Sequence, residues 1–157
     1  MSFLTIGQYF NKLQSALLLI LLVPVMIFTA IFFLTSEMPQ DTALEYYVVF
    51  TVAVMLDWCM ALIIFNKKIK SLRNQQGLGA KLDKYFRLTI VRYSILSSAS
   101  LVLAVALYFT GSDVFMALYL IGLVLAALLW PTPGRVAGDL KLRGDEREMV
   151  YYKKDVF

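Results

Sequence analysis

Charge is missing from long stretches of this chain, and the lengths of those stretches constrain its fold more than any other feature. No Asp, Glu, Lys or Arg occurs between Lys12 and Glu37, between Arg92 and Asp113, or between Asp113 and Arg135. Each stretch is about twenty residues or more, the length at which an α-helix crosses roughly 30 Å of hydrocarbon. A further stretch, Tyr46 to Asn66, qualifies if Asp57 is tolerated inside it. The expected fold is therefore all-α: a polytopic integral membrane protein with four transmembrane helices, spanning about 13–35, 44–66, 88–109 and 113–130. Composition agrees. Hydrophobic residues make up 60% and charged residues 17%, against roughly 45–50% and 25% in soluble domains. A cleaved signal peptide does not fit the first tract, whose apolar core is too long and whose exit, Thr35-Ser36-Glu37-Met38-Pro39, lacks a small-x-small site.

The basic residues choose a side. A basic cytoplasmic loop, 66–87, carries Lys67, Lys68, Lys70, Arg73, Lys81, Lys84 and Arg87, and a charged cytoplasmic tail, 135–157, carries a second set. The opposite connections, Ser36 to Asp41 and Thr110 to Asp113, contain no Lys or Arg. The positive-inside bias then puts both termini in the cytoplasm, and a plasma membrane of the bacterial inner-membrane type is the expected location. Lys67, Lys68, Lys70, Lys81, Lys84 and Arg87 are the candidates for contact with anionic lipid headgroups; as a plain topology signal the same charges need no ligand.

Local signals mark the helix ends. Thr42-Ala43-Leu44-Glu45 reads as a capping box for the second helix. Ser112 or Asp113 can cap the fourth, and the prolines of Trp130-Pro131-Thr132-Pro133-Gly134 stop it. Tyr9-Phe10 precedes the first helix and Tyr85-Phe86 the third, and each is followed by two helices with a basic exit. That symmetry suggests two hairpins of the same orientation, a parallel repeat. Residues 2–13 have near-helical apolar spacing and read either as an interfacial helix or as an early start of the first span. The mixed tail, ending in Met149 to Phe157, suits a short ordered segment that docks.

The chain has no histidine and a single cysteine, Cys59. The commonest metal ligand and general base is missing, and no phosphate loop, metal-ligand cluster or nucleophile–base set is present. Neither metal nor cofactor is expected, enzymatic activity is disfavoured, and nucleic acid is not an expected partner. Cys59, inside an apolar tract, reads as an inert packing residue.

Depth in the membrane then singles out a few residues. The helix midpoints fall near Pro24, Asp57, Ser97 or Ser98, and Gly122, at one common level. Pro24 lacks an N–H, which frees the Ile20 carbonyl and favours a kink. Ser97 and Ser98 offer hydroxyls, and Gly122 leaves room for a neighbour's backbone. Asp57 shares a face with Ala53, Val54, Ala61 and Ile64. An ionised carboxylate at this depth costs about 2.5–3.5 kcal/mol on the lenient insertion scale. The economical arrangement points it inward, bonded to Ser97 or Ser98. Arg92 lies six residues before Ser98, roughly 9 Å at helical rise, and is a secondary candidate as its charge partner. These features suggest two functions. One is a non-enzymatic accessory or scaffolding subunit of a larger membrane assembly, with other membrane subunits as partners and Asp57 as an interhelical hydrogen-bonder. The other is a small homo-oligomeric transporter or channel for protons or cations, with Asp57 as its site and Pro24 as its flexible point.

Overall fold

A computed structural model describes residues 5–35, 44–75 and 77–153. All regular structure among them is helical: α1 Ile6–Thr35, α2 Leu44–Arg73, α3 Leu78–Thr110, α4 Asp113–Leu128, α5 Pro133–Asp139 and α6 Gly144–Tyr152. Three helices, α1, α2 and α3, are long and apolar enough to cross a membrane, and α4 with α5 raises the number to four if that bent pair is one span. This is the architecture of an integral membrane protein.

The first three helices outrun the hydrocarbon. At 30, 30 and 33 residues they are about 45–50 Å long, so each carries a polar extension. The chain reaches α1 early, at Ile6, which is the second of the two readings of residues 2–13 over the residues described. The basic segment 66–87 is likewise mostly helix: α2 runs on through its lysines to Arg73, and α3 begins at Leu78 after the turn at Gly77, whose φ is 88°. Gly111, at φ 59° in the left-handed region, ends α3 with its N–H on the Leu107 carbonyl, a conformation that glycine adopts without penalty. Ser112 caps α4, its Oγ accepting from the Val114 N–H at 3.4 Å. The capping box at Thr42 lies outside the described residues.

The fourth helix departs most from expectation. It has 16 residues, about 24 Å, and ends at Leu128, so Leu129 and Trp130 fall beyond it. The chain then bends by 79° into α5, because Pro131 and Pro133 cannot donate the bonds that would continue the helix. Thr132 restarts it, accepting from the Arg135 N–H at 3.3 Å, with Pro133 in the first turn.

α3 is the hub, packed against α2, α1 and α4. Two apolar clusters result. One lies within the bundle and includes Phe28, Val54, Trp58, Leu96, Leu103 and Phe115. The other gathers the basic ends of the helices: Tyr9, Phe10 and Leu13 of α1, Phe65 and Ile69 of α2, Leu82 and Tyr85 of α3, and Val136, Leu140 and Val150 of the tail. The tail therefore docks on its own bundle. Its last residues, 154–157, lie outside the described ones.

Candidate functional site

Asp57 and the α3 serines meet at one level, but not in one pocket. Ser97 turns to α1, where its Oγ donates to the Ile20 carbonyl at 3.1 Å. That carbonyl is the one released by Pro24, which is itself buried. Ser98 turns to α2, where its Oγ lies 3.4 Å from Asp57 Oδ2. The contact is longer than an ordinary hydroxyl bond. Ser98 also makes a shorter bond, 2.7 Å, to the Ile95 carbonyl of its own helix. One hydroxyl carries one proton, so Asp57 retains hydrogen-bonding capacity to spare.

The exposure pattern changes the picture further. Ser94 and Ser98 are exposed and Asp57 half-buried, so the pair opens along the outer surface of the α2–α3 contact. Cys59 is exposed as well, rather than buried as the apolar tract had suggested. The residue between them in sequence, Trp58, reaches α4 instead. A Cβ on Gly122 would lie 3.2 Å from Trp58 Cζ2, so the room at Gly122 is taken by an indole rather than by a neighbouring backbone.

Arg92 does not reach Asp57. It is 2% exposed, its Cζ stands 3.9 Å from the centroid of the Phe65 ring, and its Nη2 donates to the Leu129 carbonyl at 2.9 Å. Beside it the Tyr93 hydroxyl donates to the Ala126 carbonyl at 2.8 Å, and Arg135 Nη1 donates to the Leu128 carbonyl. Together these three donors close the C-terminal end of α4, where carbonyls are orphaned and the helix dipole is negative. A second set ties α5 down: Tyr85 OH donates to Asp139 Oδ2 at 2.9 Å, and Arg73 Nε to the Asp139 carbonyl at 2.9 Å. Sequence reading did not single out Tyr85, Tyr93, Arg135 or Asp139 for these roles. One signal was there: two prolines after Trp130 leave the last carbonyls of α4 in need of donors.

Among the lipid-contact candidates, Lys67, Lys68, Lys70, Lys84 and Arg87 are exposed. Arg87 Nη2 pairs with Asp83 at 3.3 Å. Lys81 is drawn into the fold, its Nζ 2.8 Å from Glu146 of α6. Among the described residues, no cluster of His, Cys, Asp or Glu is suited to a metal ion.

Compared with known protein families, curated proteins and solved structures, the chain matches none.

Proposed function

We propose that this protein is a non-enzymatic accessory or scaffolding subunit of a larger membrane assembly, docking through its helix faces. The observation that carries this reading is the position of Asp57: half-buried and against the exposed Ser98 of α3, rather than enclosed inside the bundle. The interior polar side chains support it. Ser97, Arg92 and Tyr93 give hydrogen bonds to backbone carbonyls of α1, of the residue after α4 and of α4 itself, which makes them parts of a frame.

In the membrane we place four spans, α4–α5 counting as the fourth, with both termini on the cytoplasmic side of a plasma membrane. The bonds Arg73–Asp139 and Lys81–Glu146 bring the basic end of α2, the start of α3 and the tail to one end of the bundle, as the positive-inside bias requires. Anionic lipid headgroups would meet Lys67, Lys68, Lys70, Lys84 and Arg87 at that end. Descent from two parallel hairpins is part of the same reading. The 79° break after α4, which has no counterpart in the unbroken α2, would be a later divergence.

The second reading is a homo-oligomeric transporter or channel for protons or cations. Its favouring observation is that Asp57 is only half-buried while Ser94 and Ser98 are exposed, and a ring of copies would turn such a face toward a shared axis. Asp57→Asn separates the two. It keeps the hydrogen bonding and removes the titratable charge, so assembly size on a native gel should survive if Asp57 holds an interface, whereas ion flux in liposomes should collapse if it carries the ion. If Asp57→Leu alters neither assembly nor flux, both readings of the residue fail.

A further inference from the structure

Asp57 is half-buried beside the exposed Ser98, with little to bond to within its own chain, and the chain's own inventory shows where a complement has to come from. Arg92 is the only Lys or Arg within the expected spans. It is 2% exposed and occupied by the Leu129 carbonyl and the Phe65 ring. Asp57 therefore draws no cation from its own helices, and among the described residues its only side-chain hydrogen bond is the long one from Ser98. A second copy would bring the same inventory, its Arg92 equally enclosed. Beside Asp57, α3 presents Val91, Ser94, Ser98, Leu101 and Val105, all exposed and at helical spacing. The small serines in that row let another helix approach closely, as small residues do at intramembrane helix contacts.

We infer that the exposed α2–α3 face beside Asp57 receives a transmembrane helix of a different protein, one that carries a Lys or Arg at mid-membrane depth to pair with Asp57. The inference rests on the accessory-subunit reading and names the chemistry of its partner. Intramembrane charges face protein and pair with one another, so an acid open to the outside of a bundle and a cation on a partner each remove the other's cost. Ser94 adds a hydroxyl for the incoming helix, and Leu101 and Val105 a greasy shelf beyond it.

The test uses the full-length protein, fluorescently labelled at its N-terminus in lipid vesicles. Synthetic leucine-based transmembrane peptides carry an acceptor dye and have Lys, Glu or only Leu at the centre. Energy transfer should report binding of the Lys peptide about threefold or more tighter than the all-Leu peptide, the effect of an average mid-membrane polar bond. Asp57→Asn, nearly isosteric and able to keep the Ser98 contact, should lose most of that preference without loss of helicity; its amide still hydrogen-bonds a partner cation, so the native assembly, held by the whole helix contact, survives it. Asp57→Lys should transfer the preference to the Glu peptide. Equal binding of all three peptides by the wild type overturns the inference. So does Asp57-dependent transfer between labelled copies that displaces the Lys peptide, which would make the occupant a second copy. If the Lys preference is absent while the native protein still co-migrates with an unrelated partner, the cationic partner is wrong and the accessory reading stands.

Discussion

Ser97 is informative at the scale of single residues because its role depends on another residue's defect. Pro24 withholds the bond that the Ile20 carbonyl would otherwise accept, and Ser97 Oγ supplies it from α3 at 3.1 Å. Ser97→Ala should therefore cost about 0.6 kcal/mol, the average for intramembrane polar bonds, and no more than about 1.7. In a Pro24→Ala background, where residue 24 can donate to Ile20 itself, the same substitution should cost close to nothing. Reversible unfolding in bicelles measures the cycle, and strict additivity would rule out the pairing. Gly122 gives a second test. Gly122→Val overpacks the Trp58 indole, already 3.2 Å from where a Cβ would sit, and should lose about 1–3 kcal/mol that Trp58→Leu largely restores.

Among the elements, α4 asks for the most explanation. It is too short to cross about 30 Å of hydrocarbon unaided, and its last carbonyls are met by Arg92, Tyr93 and Arg135. Tyr93→Phe leaves the ring in place and the Ala126 carbonyl without that donor, so it should destabilise by about 1–3 kcal/mol. Faster amide exchange confined to the end of α4 would show that the effect is local. Arg92→Lys should be no milder, since an ammonium does not reproduce the flat guanidinium on Phe65. How far α4 was legible follows from the same residues. The prolines announced its end, since a missing N–H is a local property. That Arg92 would turn to Leu129 rather than toward Asp57 depends on how α3 is rotated against α4, and a tract apolar all round carries little periodic signal to set that rotation.

For the whole molecule, the charge-free tracts made the apolar helices readable, and depth alone brought Pro24, Asp57 and the serines to one level. Facing was the part that stayed hidden. In water a buried stripe stands out against a polar one, but a helix in lipid is apolar on both sides, so nothing marked Asp57 as opening outward. The tail was legible as something that docks, though its partner turned out to be the chain's own helix ends. Val150 is 0% exposed in that contact. Val150→Asp should strand a charge there, release α6 and open Arg143 and Arg147 to trypsin, while the apolar spans stay protected. Above this scale lies the central claim, that the bundle is a building block for something larger. Native-gel sizing with mass-spectrometric identification, after gentle extraction from the membrane at natural expression levels, tests it most directly. An accessory subunit co-migrates stably with unrelated membrane proteins, at least one bearing a mid-membrane Lys or Arg, and Asp57→Leu drops out of that band. A clean homo-oligomer, unchanged by Asp57→Leu, would contradict it.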